Sequence, residues 1–194
     1  MDTDTNTILI ALAVIVVIAL AVWMVMRKKR SDHLAHRFGP EYDRTVQEMG
    51  SRDKAEAELL ARKKRVDDLE LVPLSPADAQ RFNHEWRGLQ ARFVDDPRGV
   101  LAEADLLVRE LMQKRGYPMG DFERRAADIS VHHAGVVDHY RAAHELTERD
   151  RRGEVDTEGM RQAVIHYRAL FAELLEVDQP QPPTQHHPEM RTQS

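Results

Sequence analysis

The sequence predicts an all-α protein with a single N-terminal transmembrane helix, a charged connector helix, a small helical bundle and a disordered C-terminal tail. Three observations predict this fold class. Residues 8–26 form an uncharged apolar run, and the later apolar residues recur three and four positions apart. No stretch shows the sustained alternation of apolar and polar residues that is typical of a half-buried strand.

Composition excludes several kinds of chemistry. The chain has 194 residues, a net charge of −5 and no cysteine, which excludes disulfides, cysteine-ligated zinc and cysteine nucleophiles. Residues 27–72 carry a net charge of +2, whereas residues 73–194 carry −5. Because a duplex attracts a basic surface, nucleic acid is not expected as a partner of the acidic part.

The first predicted element is a transmembrane helix over residues 8–26, from Ile8 to Met26. As a helix, these 19 residues span about 28 Å, close to the thickness of a bilayer core. Trp23 lies near the end, where it would reach the headgroup layer. The positive-inside rule then places residues 1–7 outside as a short external N-terminus and the rest of the chain in the cytoplasm. The cations that set this orientation, as a membrane-proximal basic anchor, are Arg27, Lys28, Lys29 and Arg30.

Other interpretations of this region fit less well. A cleaved signal peptide needs a basic start and a shorter apolar core, but the chain begins with Asp2 and Asp4. A buried helix of a soluble protein would need a second long apolar element around it. The four cations are most simply a topology anchor, and specific recognition of an acidic lipid is the alternative.

Residues 27–73 are predicted to form a basic juxtamembrane segment and a charged helical connector. Pro40 is suited to the first turn of a new helix, and residues 41–70 are rich in helix formers, with a weak point at Gly50-Ser51. Leu59, Val66 and Leu69 give this helix a short apolar edge, but charged residues upstream argue against a long coiled coil.

Residues 74–177 are predicted to form the helical domain, and residues 178–194, rich in proline and glutamine, a disordered tail. Helix starts and ends are marked by cap residues, by proline in the first turn and by glycine after the last turn. These signals are Ser75-Pro76, Asp96-Pro97, Gly116-Tyr117-Pro118, Asp121, Gly153 and Asp156-Thr157, with a further break expected near Ile129-Ser130-Val131.

Each predicted helix of this domain has one apolar stripe. The last helix shows it most clearly, because its apolar residues step by four, three, four and three and are expected to face inward as one seam. The seam comprises Met160, Val164, Tyr167, Phe171 and Leu174, and the opposite face, with Arg161, Gln162, Arg168 and Glu176, is expected to face solvent.

Several phrases resemble an uncharacterised family of bacterial proteins with one N-terminal membrane helix. They are Phe38-Gly39-Pro40-Glu41-Tyr42-Asp43, Arg115-Gly116-Tyr117-Pro118, Ala126-Ala127-Asp128-Ile129-Ser130-Val131, His139-Tyr140-Arg141-Ala142-Ala143-His144 and His166-Tyr167-Arg168-Ala169-Leu170-Phe171. The resemblance covers most of residues 37–175. It implies the same helical layout and a bacterial inner-membrane setting, but no activity and no functional residue.

A cluster of histidines is the most suggestive chemical feature. His132 and His139 are seven residues apart, about 10.5 Å along a helix, which is too far to share a metal ion. Asp128 and His132 have the i,i+4 spacing of half a site, but the predicted break lies between them. No metal, cofactor or catalytic residue is therefore predicted. The residues kept as candidates for a sensor are Asp128, His132, His133, His139 and His144.

The predicted function is a membrane-tethered cytoplasmic helical interaction or scaffold module, held in the bacterial inner membrane. The expected partners are the lipid bilayer and either another protein or a second copy of the chain. The alternative is a membrane-anchored sensor that responds to pH or a ligand through residues 132–144, since histidine titrates near neutral pH. An enzyme is not expected, because no catalytic motif is present.

Overall fold

The computed structural model of the chain describes residues 2–175, with the side chains of residue 12 and residues 14–175. Over these residues the fold is all-α, as predicted, with eight helices and no strand. The helices are α1 (Asp2–Phe38), α2 (Pro40–Met49), α3 (Arg52–Asp67), α4 (Pro76–Arg92), α5 (Pro97–Lys114), α6 (Phe122–Ile129), α7 (Val137–Arg151) and α8 (Thr157–Leu175).

The prediction of a transmembrane helix over residues 8–26 is wrong. No helix among the described residues combines the length and the apolar character that crossing a membrane requires. Within α1 the cations begin at Arg27, directly after the apolar run, and the helix continues through them to Phe38. Two predictions that depended on this helix are therefore wrong as well. They are the single-pass topology and the inner-membrane localisation, with the N-terminus outside and the domain in the cytoplasm.

The cap signals in the sequence are confirmed. The side chains of Ser75, Asp96 and Asp121 each accept a hydrogen bond from the backbone N–H three residues on, at 3.1, 2.9 and 2.7 Å. Asp156 does the same for α8, at 2.8 Å. These bonds satisfy N–H groups that the first turn of a helix leaves free, so they fix where the helices start.

The larger core lies between α4, α5, α7 and α8. Its centre is formed by Phe82, Leu111 and Tyr140, none of which is exposed. The predicted seam of α8 is confirmed, since all five of its residues are buried. On the opposite face Arg161 and Arg168 are exposed and Gln162 is half-buried. Glu176 and the predicted disordered tail over residues 178–194 lie outside the described residues.

A smaller core joins the end of α1 to α2, α3 and the loop after α6. Leu34 and Phe38 of α1 pack with Leu59 of α3 and with Val131. The predicted break at residues 129–131 is confirmed, because α6 ends at Ile129. The charged connector region therefore folds back on the helical body and supplies part of its core.

Candidate functional site

Most of the exposed large apolar side chains that the structure describes lie in α1. From Leu12 to Met26, each large apolar side chain described is more than half exposed. These residues surround the helix instead of forming one stripe. At the end of the segment, Trp23 and Met26 border α3 beside Glu56. We call residues 12–26 the apolar segment. A helix that is apolar all round is usually buried on every side.

The apolar segment projects from a fixed base. After the apolar segment, the Ser31 hydroxyl forms a hydrogen bond with the Tyr42 hydroxyl at 3.0 Å, and the Tyr42 hydroxyl donates to Glu56 at 3.0 Å. Leu34, one turn on, is buried in the smaller core. These contacts hold the second half of α1 on α2 and α3.

The predicted basic anchor lies between the apolar segment and this base. All four of its residues, Arg27, Lys28, Lys29 and Arg30, are exposed. The Arg27 guanidinium lies 5.3 Å from the centre of the Trp23 ring and forms an ion pair with Asp53. Arg27 is thus turned toward α3, while the other three cations keep solvent contact.

The predicted sensor residues are not brought together into one cluster. Asp128 is buried and pairs with Arg65 of α3 at 2.9 Å, so its carboxylate holds α6 to α3. His133 contacts Glu173 of α8 at 3.1 Å, and His144 stacks on Phe122 with ring centres 3.6 Å apart. His132 lies exposed in the loop after α6.

Two of these histidines are partly desolvated by the protein around them. Desolvation lowers the pKa of His132 and of His144 below the usual value of 6.5. The neighbouring His133 lowers the pKa of His132 further. Both rings are therefore held in the neutral form more strongly than free histidine.

His139 has a partner that the sequence analysis missed. Its Nδ1 lies 2.8 Å from Nδ1 of His166, which is on α8. The signal was present in the sequence, because the phrase His-Tyr-Arg-Ala occurs twice, at residues 139–142 and 166–169. The two phrases lie on consecutive helices joined by a short loop, and Tyr140 and Tyr167 also approach, with ring centres 6.5 Å apart.

A buried ionic network joins the two cores. The Glu41 side chain of α2 is fully buried and accepts hydrogen bonds from Arg62 of α3 at 2.9 Å and from Arg141 of α7 at 3.0 Å. Arg62 also contacts Glu58, and Arg141 also contacts Glu123. Glu41 and Arg141 are 100 residues apart, so this network fixes the position of α2 on the helical body.

A shallow cleft of about 340 Å³ lies between α5 and α7. Asp105 lines the cleft, where it accepts a hydrogen bond from the buried Tyr167 hydroxyl at 3.0 Å and pairs with Arg109 at 3.2 Å. Burial and then the charge of Asp105 raise the pKa of Tyr167, so the phenol stays protonated. Arg98 pairs with Asp150 at the rim at 3.2 Å. These charges are matched within the protein, which gives them a structural role.

No group of three or more histidine, aspartate or glutamate side chains within the described part of the chain is arranged to hold a metal ion. Comparisons with protein-family models, with curated proteins and with solved structures found no match to this chain. The resemblance to a bacterial membrane-protein family stays a prediction.

Proposed function

We propose that the chain is a helical interaction module that self-associates through the apolar segment of α1. The observation that carries the proposal is the exposure of that segment on every side of a helix whose other half is anchored in the body. Exposed apolar patches of this extent favour association, because burying each such side chain contributes about 1.5–3 kcal/mol before the entropic cost of binding.

The charges at the two ends of the apolar segment favour a second copy of the chain as its binding partner, with the two α1 helices antiparallel. Positions 2 and 4, at the start of α1, are both aspartate, and positions 27–30, after the apolar segment, are all cationic. An antiparallel pair centred near Val16 places the acidic start of each helix beside the cations of the other. It also leaves the two folded bodies at opposite ends of the pair.

Sedimentation velocity of the full chain over a range of concentrations tests this proposal. We expect a dimer that dissociates on dilution. Ile18→Asp places a charge in the middle of the interface and is expected to shift the protein to monomer, because an unpaired charge resists burial. Leu106→Asp is the matched control, since Leu106 on α5 is 57% exposed and Ile18 is 56% exposed.

Three results would overturn the proposal. The first is a wild-type protein that stays monomeric at every concentration. The second is an equal change in association for Ile18→Asp and Leu106→Asp. The third is a monomer that floats with phospholipid vesicles but does not pair, which would assign the apolar segment to a lipid surface.

A further inference from the structure

We propose that His139 and His166 form a two-histidine chelate for a transition-metal ion, with Cu²⁺ as the preferred ion. The two Nδ1 atoms face each other at 2.8 Å across α7 and α8. This proposal is independent of self-association, because the pair lies on the helical body and not on α1.

The separation of the nitrogens is compatible with one coordination geometry in particular. With metal–nitrogen bonds of about 2.0 Å, two ligands at a right angle lie about 2.8 Å apart, and two at the tetrahedral angle about 3.3 Å apart. The observed 2.8 Å fits a right angle. Tetragonal or octahedral ions such as Cu²⁺ and Ni²⁺ use that angle, whereas Zn²⁺ prefers a tetrahedron. Among divalent ions, Cu²⁺ binds such nitrogen ligands most tightly.

The helices that carry the two histidines are fixed before a metal arrives. Tyr140 and Tyr167, the residues next in sequence, are fully buried. The Tyr140 hydroxyl accepts a hydrogen bond from Arg125 at 3.0 Å, and that of Tyr167 donates to Asp105 at 3.0 Å. Because α7 and α8 also have the most extensive contact of any two described helices, little order has to be gained on binding.

The ring nitrogens are chemically available. His139 is exposed and His166 is half-buried, so water can complete the coordination sphere. The present hydrogen bond requires one Nδ1 to carry a proton and the other to be free. When the ion binds, the ring that donates moves its proton from Nδ1 to Nε2, so two neutral imidazoles bind without a net release of protons.

Calorimetric titration of the full chain with Cu²⁺ tests the proposal. The reference protein carries His36→Ala, His132→Ala and His187→Ala, because His33/His36, His132/His133 and His186/His187 are other close pairs in the sequence. We expect one Cu²⁺ per chain. His139→Ala or His166→Ala in this reference is expected to weaken binding at least about tenfold, since one-point attachment replaces two-point attachment. His84→Ala, at an exposed histidine on α4, is the matched control and is expected to bind as the reference does.

Two further measurements do not depend on the variants. Electron paramagnetic resonance of the Cu²⁺-loaded reference protein is expected to show coupling to two imidazole nitrogens. Saturating Cu²⁺ is expected to raise the melting temperature, because the folded chain binds the ion through two histidines at once, whereas the unfolded chain offers them singly and binds it more weakly. Unchanged affinity in His139→Ala and His166→Ala, coupling to fewer than two imidazole nitrogens, or no binding by the reference would each overturn the assignment.

Discussion

Phe171 lies where α8 meets α4, with its ring stacked on Trp86 at a centre-to-centre distance of 4.6 Å. It is 2% exposed. Phe171→Ala is therefore expected to lower the free energy of unfolding by about 3–5 kcal/mol, the range for a core aromatic residue. Urea denaturation followed by circular dichroism measures this change.

Arg161→Ala is the control on the same helix, because Arg161 is exposed and pairs with Glu158 at the surface. It is expected to leave the unfolding midpoint unchanged. Equal small effects of the two substitutions would mean that the seam of α8 does not hold the bundle together.

His144 makes stability depend on pH. Desolvation lowers its pKa in the folded state below the unfolded value of about 6.5, against smaller opposing effects of Glu148 and Asp105. The unfolded chain therefore binds more protons in acid. The contribution of His144 is fully present above about pH 6.5 and is lost as pH falls through the folded pKa.

His144→Phe keeps a flat ring against Phe122 and removes the titration. Denaturation at about pH 7.5 and about pH 5 is expected to show a smaller loss of stability in the variant than in the wild type. The desolvated rings of His132 and His166 account for part of the loss that remains. An identical loss in both proteins would contradict this role of His144.

At the scale of a single residue, the sequence predicted what depends on near neighbours. Ser75, Asp96 and Asp121 are caps because each precedes a helix start by a fixed interval. Periodicity also located Phe171 in the core. The partner of His139 lies 27 residues away, and only the way that α7 and α8 pack determines it.

At the scale of elements, the position of α2 on the helical body depends on Glu41. Its carboxylate is fully buried between Arg62 and Arg141, so Glu41→Gln leaves two buried guanidinium groups with less negative charge. Breaking a buried ion pair costs about 3–5 kcal/mol, and we expect a loss toward the lower end because both arginines keep another carboxylate. Urea denaturation measures the loss.

Glu48→Gln, also on α2, is the control because Glu48 forms an exposed pair with Arg44. Hydrogen exchange is expected to show faster exchange of α2 amides in Glu41→Gln and not in Glu48→Gln. Similar exchange in the two variants would show that apolar packing alone holds α2 in place.

The first helix shows where sequence patterns mislead at this scale. The apolar run and the cations after it predicted a membrane-spanning segment, but α1 continues through the cations to Phe38 and anchors its second half in the protein. Hydropathy detects apolar length, but it does not show that residues after Arg30 pack on α2 and α3. Likewise, the high charge of this region predicted a connector. In the structure, α3 lies in this region and contributes Leu59 to the smaller core.

At the scale of the whole molecule, residues 74–177 are expected to fold alone. All the buried residues of the larger core lie in this range. The fragment lacks Arg65 and Glu41, the partners of Asp128 and Arg141. It should melt cooperatively, but at a lower temperature than the full chain. Calorimetry of both proteins checks this, and a fragment without a cooperative transition would show that α1–α3 are needed for the fold.

Disulfide crosslinking tests the central claim, antiparallel self-association through α1, most directly. The chain has no cysteine, so single-cysteine variants report one position each. In a pair centred near position 16, equivalent residues at position 25 lie about 27 Å apart along the helix axis. A disulfide needs Cα atoms within about 7 Å of each other.

Three adjacent substitutions at the centre, Val16→Cys, Val17→Cys and Ile18→Cys, sample the directions around the helix. At least one is expected to form a covalent dimer under mild oxidation, whereas Met24→Cys, Val25→Cys and Met26→Cys are expected to form none. Crosslinking at both the centre and the end would indicate a parallel pair. No crosslinking at any of the six positions would contradict self-association through α1.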